Sequence, residues 1–472
     1  MQDNGYIFMK SVRTRIAPSP TGYPHIGTIY QVLFDFAFAR KNDGKFILRI
    51  EDTDRNRFVE GAEDVIYQAL DWFGLTPDES PKHTGTYGPY RQSERLTIYK
   101  KYVDELVQKT HAYFCFCTKE RLEQMRMSME QRHLMPMYDR KCRNLSTVEL
   151  QENLSDNLPY IVRMKIPDNR KVAFEDAIMG RIEVESSTID DQVILKSDGF
   201  PTYHLGVVVD DHLMEISHVF RGREWVSSTP KHVLLYEYFG WEMPVHAHLP
   251  LILNSDGKGK LSKRHGHASV DYYREEGFLP DAVLNYLSNI VWNHPDGKEI
   301  YTLEEFIRLF EITQFSSHGA RFDLQKLTWM NQQYIQSMTD DALLEKIVNF
   351  YNEKKLDETL VRKLLPLLKT RMETLRDFDS LTKIFFEAPV VVLRSSVEKE
   401  IVIDIQDILA AISSWNEADI LVALKTVLEK NLIRMPVLYY LLTGEEKGLP
   451  LPESLVLLGK VEVLKRLREI EK

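Results

Sequence analysis

Residues able to handle phosphate gather in two short segments of the chain. PHIG, residues 24–27, falls between a strand expected over residues 12–17 and a helix expected over Ile26–Lys41. That position aims backbone N–H groups and the positive helix end at the carboxyl edge of a sheet, where phosphates bind. Gly27 permits close approach of backbone to a phosphate, and His25 can donate to one through its ring. A tripeptide of this kind says little alone, since a turn histidine is more often a cap or a solvated residue. The second segment is GKGKLSKRHG, residues 257–266, which sets Lys258, Lys260, Lys263, Arg264 and His265 among glycines with no acid. By itself it reads as a solvated loop. Paired with PHIG, it reads as the other half of a polyphosphate site.

The elements that must position these segments follow from periodicity. Apolar residues at 26, 29, 30, 33, 36 and 37 have helical spacing, and Gly44 is a stop signal after Arg40 and Lys41. A second strand over residues 46–50 closes a β-α-β unit, with parallel strands if the crossover is right-handed. Between 112 and 200 the texture changes to short strands (YIVRMKI, GRIEVES, QVILKSD) and a Met-rich helical stretch, as in an inserted mixed domain. Strand-like runs return at 205–209 and 248–253, with a helix in TPKHVLLYEYFGW between them. After about residue 302 strand signals nearly vanish. Thr302 with Glu305 predicts a capping box, and Thr339 a cap on DDALLEKIVNF. Four segments are expected: 1–111 and 201–320 as the two halves of an α/β nucleotide-binding domain, 112–200 as the insert, and 321–472 as an all-helical domain.

Composition bounds the answer further. The chain has 472 residues, 43% hydrophobic and 28% charged, which excludes collagen-like, low-complexity and wholly disordered classes. No apolar run is long enough to cross a bilayer, and the N-terminus lacks a secretory signal, so a cytoplasmic protein is expected. Three cysteines argue against a disulfide framework. A formal net charge of −10 means that any nucleic-acid surface is a local basic patch. The start of translation at Met1 or Met9 stays open, and a monomer is expected because no dimer-forming segment stands out.

The two-part phosphate site resembles that of class I aminoacyl-tRNA synthetases, and nearly the whole chain is similar to the bacterial glutamyl-tRNA synthetase family. RIAPSPTGYPHIGT, FILRIEDTDR, YRQSERL, SDGFPTYHLGVVVDDHLMEISHV, STPKHVLLYEYFGW, LPLILN and KLSKRHG stand in the family's order. Thr28 replaces a histidine of the first signature, leaving His25 as the imidazole donor. The resemblance implies a Rossmann-type catalytic domain, an acceptor-stem-binding insert and an anticodon-binding helical domain. It implies ATP with Mg²⁺, L-glutamate and tRNA-Glu as substrates and partners. His25 and Lys263 would carry catalysis. Gly27, Trp225 and Lys260 would join them around ATP. Arg15, Ala17, Ser19, Glu51, Tyr203 and Arg221 would hold glutamate, a guanidinium being suited to bidentate carboxylate binding. Where relatives often place an asparagine, this chain has Val207, so that contact is absent or replaced. Arg371 resembles an arginine that reads the last anticodon base in discriminating members.

The same resemblance bears on Cys115, Cys117, Tyr138 and Cys142, which are similar to a zinc knuckle of some relatives. Asn144 stands where others have a histidine. Three free thiols are an equal reading, so no metal ligand is assigned. Two other enzyme classes fit less well. A glutamylating tRNA-modification enzyme lacks the helical domain, and a glutaminyl enzyme has a β-rich C-terminal half. A non-catalytic paralogue should have lost His25 or the KLSKR loop.

Overall fold

The computed structural model describes residues 11–22, 24–257, 259–261, 266–315 and 320–471. Met1, Met9, Lys258, Lys263, Arg264 and His265 lie outside them. The chain forms two compact units, one made of Met1–Tyr272 with Leu284–Asp323, the other of Tyr273–Val283 with Leu324–Lys472.

The first unit opens with the expected β-α-β. β1 (Arg13–Ile16) leads into α1 (Ile26–Lys41), and β2 (Lys45–Leu48) returns parallel to β1, with Arg13 opposite Lys45 and Ile16 opposite Leu48. α1 is buried on most of its surface, including Ile29, Leu33, Phe34 and Ala37. A glycine is required at position 44 because the backbone there passes the end of β1. A Cβ on Gly44 would lie 2.2 Å from the Val12 carbonyl oxygen, the same oxygen that accepts from Lys45 N–H at 2.8 Å.

After α2 (Ala62–Trp72) and α3 (Leu96–Gln108), the expected insert contains β3 (Ala112–Cys115), α4 (Lys119–Gln131), α5 (Thr147–Ser155), β4 (Ile161–Met164), β5 (Lys171–Asp176), β6 (Gly180–Glu185) and β7 (Val193–Leu195). β3, β4 and β7 make an antiparallel sheet. The chain continues through α6 (Tyr203–Leu213), β8 (His218–Gly222), α7 (Thr229–Phe239), β9 (Val245–Leu249) and β10 (Ile252–Leu253). A second sheet has the order β6-β5-β9-β8, in which β5–β6 is a hairpin while β5–β9 and β8–β9 are parallel. β8 starts beside β1, where Ser217 N–H donates to Arg13 C=O at 3.0 Å.

Two sequence expectations change here. Residues 205–209 are helical, inside α6, rather than a strand. Every residue from Leu205 to Asp211 is buried, so the apolar run has neither of the periods that separate helix from strand. The run at 248–253 is two strands, β9 and β10, broken around Pro250, which has no N–H to continue the ladder.

α8 (Val270–Glu275), α9 (Pro280–Asn289), α10 (Leu303–Leu309) and β11 (Ala320–Arg321) follow, and β11 pairs parallel with β10. Thr302 caps α10 through the Glu305 N–H at 3.1 Å. The capping box is only half made, because the Glu305 carboxylate turns to His294 (3.2 Å) and Lys298 (2.7 Å) instead.

From Leu324 every described element is a helix: α11 (Leu324–Ser337), α12 (Asp340–Phe350), α13 (Glu358–Leu368), α14 (Asp377–Phe386), α15 (Ser396–Ala410), α16 (Glu417–Asn431), α17 (Met435–Thr443), α18 (Leu451–Leu458) and α19 (Lys460–Glu471). Thr339 caps α12 as expected, accepting from Ala342 N–H. One core of this unit gathers Leu343, Ile347, Leu364 and Leu368 with Leu279 and Ala282. A second gathers Ile405, Leu424, Leu438 and Leu455. No helix among the described residues is long and apolar enough to cross a membrane.

Candidate active site

A cavity of about 1020 Å³ opens in the first unit, and the residues expected to act on substrate converge on it. Arg15, Ala17, Ser19, His25, Gly27, Glu51, Tyr203, Val207, Arg221, Trp225 and Lys260 all line it. Lys263 falls outside the described residues, but both flanks of its loop are anchored to this region. Leu261 N–H donates to Ile252 C=O at 2.9 Å, and Lys260 bridges to Leu253. On the far side, Ile26 N–H donates to Ala268 C=O at 2.8 Å, and Ser269 bridges to His25. The two phosphate signatures are thus stitched together by backbone. The Lys260 ammonium pairs with the Glu224 carboxylate.

His25 is the N-cap of α1, its Nδ1 accepting from Gly27 N–H at 2.9 Å. That bond leaves the ring proton on Nε2, the form in which the imidazole can donate. It also occupies the Gly27 N–H, so Gly27 serves the turn through its missing side chain: a Cβ there would sit 3.0 Å from the histidine Nδ1.

The floor of the cavity is a buried charge network. Arg15 donates from Nε and Nη2 to Asp211 at 3.1 and 3.2 Å. Arg49, fully buried, donates to Asp211 at 2.7 Å and to Glu51 at 3.2 Å. Asp210 accepts from Arg95 (2.7 Å), Tyr99 (2.8 Å) and Gln92 (2.9 Å). Burial would raise the Asp211 carboxyl, but Arg15 and Arg49 outweigh it and hold it below the usual range. For Glu51 burial wins over the same two arginines and pushes the carboxyl up to about 7.

Arg221 has a different environment. Its guanidinium donates to Thr229 Oγ1 (2.7 Å), His248 Nε2 (2.9 Å) and Tyr203 Oη (3.2 Å), with His232 Nδ1 at 3.3 Å. None of these partners is a carboxylate. Burial, then the Arg221 charge, holds the His232 ring well below its ordinary pKa, so it stays neutral. Of the two buried arginines in the cavity, Arg15 is therefore neutralised by contact and Arg221 is not, and Glu51 adds a carboxyl poised near neutrality. Such a set suits a small zwitterion with an additional carboxylate.

Residues 11–329 match the catalytic domain of class I tRNA synthetases (E and Q), and residues 333–471 match an anticodon binding domain. The glutamate–tRNA ligase of Protochlamydia amoebophila is 44% identical over 97% of this chain and 93% of its own. That of Psychrobacter sp. is 43% identical over 97% and 92%. Among solved structures, a glutamate tRNA ligase from Elizabethkingia meningosepticum in complex with its amino acid superposes with a TM-score of 0.86. It shares 37% identity and covers 98% of this chain and 99% of its own. The chain belongs to the glutamate–tRNA ligase family of class I aminoacyl-tRNA synthetases.

Two further features suggested by the resemblance to that ligase family, Arg371 and the cysteine cluster, are not among the cavity's lining residues. Arg371 is exposed, and it sits in the turn after α13 rather than within a helix. Cys115, Cys117 and Cys142 come together, their Sγ atoms all within 4.8 Å of one another. The Tyr138 hydroxyl lies 3.3 Å from the Sγ of both Cys115 and Cys117. Zinc–sulfur bonds of about 2.3 Å give a tetrahedron with edges of roughly 3.8 Å, so three soft thiolates and a phenol oxygen at these separations fit zinc. Arg121 donates to the Cys117 Sγ at 3.3 Å, and the Arg163 guanidinium stacks over the Tyr138 ring at 3.9 Å. Both cations favour thiolate. Hydrogen bonding from Cys142 holds the Cys115 thiol well below its ordinary pKa.

Arg49, Asp210, Asp211, Asp176 and His248 were not evident from the sequence as parts of the site. The one visible signal was the acidic pair closing the apolar run of α6. Two acids after a wholly apolar stretch need buried cations, and RTRIA, FILRIED and YRQSERL supply them.

Proposed function

We propose that this chain is a glutamate–tRNA ligase that activates L-glutamate with ATP and esterifies tRNA-Glu. In the first step a glutamate α-carboxylate oxygen bonds to the α-phosphorus of ATP as the α–β phosphoanhydride breaks and pyrophosphate leaves. In the second, the 2′-hydroxyl of the terminal adenosine bonds to the activated carbonyl carbon, and AMP leaves. No side chain needs to form a covalent bond, so the protein contributes position and charge. Arg15 and Arg221 hold carboxylate, Glu51 in its ionised form accepts from the ammonium, and Tyr203 closes the pocket with Ala17 and Ser19. His25 donates from Nε2 to phosphate beside Gly27, Trp225 and Lys260, and Lys263 carries the loop's share of charge neutralisation. Mg²⁺, entering with ATP, would supply further neutralisation of phosphate charge beside His25, Lys260 and Lys263.

The observation that carries this reading is the convergence of both signature segments, Arg15 and Arg221 on one cavity. Residues 112–200 take the acceptor end and 321–472 the anticodon, with Arg371 reading its last base. Cys115, Cys117, Tyr138 and Cys142 would hold a structural zinc that stiffens the first of these.

The test is labelled-glutamate charging of purified tRNA-Glu and tRNA-Gln, separately. Charging of tRNA-Glu alone supports both the activity and the role of Arg371. Charging of both keeps the activity and removes that role. Charging of neither, by protein that binds ATP, overturns the reading.

A further inference from the structure

Arg221 is a buried cation with no anion in contact among the described residues, yet an anion stands one ring away. Its Nε donates to His248 Nε2 at 2.9 Å, so that nitrogen carries a lone pair and the ring proton sits on Nδ1. Nδ1 lies 2.6 Å from Asp176 Oδ2, and both side chains are fully buried. Protonating His248 would set two N–H groups against each other at Nε2, so Arg221 itself keeps the ring neutral. Asp176 is fixed in turn by the backbone N–H groups of Ile178 (3.1 Å), Met179 (2.9 Å) and His248 (3.2 Å).

We propose that Asp176 and His248 are positioning residues that orient Arg221 toward a substrate carboxylate without neutralising it. This rests on Arg221 binding glutamate. The strand frame makes the arrangement rigid: Arg221 and His248 are register partners across β8–β9, and Asp176 pairs beside them across β5–β9. Arg15 is the contrast, because Asp211 contacts its guanidinium directly. A carboxylate touching Arg221 would compete with the substrate's own. Placed behind an imidazole, it fixes the direction of Nε and leaves the positive charge facing the cavity. Asp176 comes from β5, so the chain between the two catalytic halves supplies part of the wall behind the amino-acid pocket.

The experiment is steady-state charging and glutamate-dependent thermal stabilisation of four full-length variants. His248→Met keeps the bulk and removes the acceptor; its KM for glutamate is expected to rise about tenfold, with KM for ATP within about twofold. His248→Gln can still accept from Arg221 and is expected to recover most of that loss. Asp176→Asn is isosteric, keeps the fold if His248→Met does not, and is expected to move KM for glutamate in the same direction. Arg221→Lys tests the underlying assignment. Weak glutamate binding in Arg221→Lys, with Asp176→Asn and His248→Met both near wild type, overturns the relay alone. Equal losses for His248→Met and His248→Gln reduce it to packing and overturn it too. Unchanged KM for glutamate in all four variants removes the Arg221 assignment as well.

Discussion

Glu51 holds its carboxyl where water cannot solvate the charge, and burial pushes it up to about 7 from an ordinary 4.5. A carboxyl that takes its proton more readily folded than unfolded favours folding at low pH. That contribution is complete below 4.5 and lost as pH rises through 7. Glu51→Gln removes the charge and should raise the stability of the ligand-free protein at about pH 8 by about 1–3 kcal/mol, with no gain at about pH 5. The same change should weaken glutamate binding if Glu51 faces the ammonium as proposed, because a neutral amide oxygen replaces the anionic partner. Thermal unfolding of both proteins across that range checks the prediction, and a stability difference independent of pH contradicts it. At this scale the sequence is readable where a residue sits in a contiguous motif: Arg15, His25, Glu51, Tyr203 and Arg221 all belong to such motifs, and all line the cavity. It was unreadable where a charge is held by a partner far along the chain. Asp211 lies 196 residues from Arg15 and 162 from Arg49. No local pattern encodes such a pair.

Elements were legible when amphipathic and obscure when buried all round. α1 has the bounds its periodicity predicts, whereas α6 hid behind a Val-rich run whose every residue is buried. β5 is not legible in the sequence. Its KVAFED alternates, but its place beside β9 depends on tertiary pairing. Gly44 carries an element-scale prediction. A methyl 2.2 Å from the Val12 carbonyl oxygen cannot be accommodated without moving β1 from β2. Gly44→Ala should therefore destabilise the first unit by about 2 kcal/mol or more, read as a lower unfolding midpoint. An unchanged midpoint would show that the strand ends can part freely. The β3–α4 region supports a second. Protein purified without added metal should contain about one zinc per chain, and Cys142→Ser should lose most of it. Chelation should loosen this region while leaving glutamate-dependent stabilisation of the cavity in place. A zinc-free protein with three titratable thiols and an unaltered insert contradicts the knuckle.

At the scale of the whole molecule, two compact units whose described core clusters share no residue imply two cooperative blocks. The helical block is not confined to the C-terminal stretch of sequence. Leu279 is 1% exposed and packs with Ile335, Leu343 and Leu368, and its N–H donates to the Asn331 side chain at 2.8 Å. Gly277, at φ +74, passes so near Leu375 and Arg376 that a Cβ would lie 2.8 Å from the Arg376 nitrogen. A reading of composition along the chain assigns residues 273–283 to the neighbouring segment, because nothing local marks them as core for helices 50 to 100 positions later. Truncating Leu279 to alanine removes buried methyl groups from that core at a cost of about 2–5 kcal/mol. Calorimetry of the full chain should then show the helical block's transition falling, while the transition that glutamate and ATP stabilise moves much less. If both transitions fall together by the same amount, the two units unfold as one, and the separation of amino-acid chemistry from the helical block fails at the level of stability.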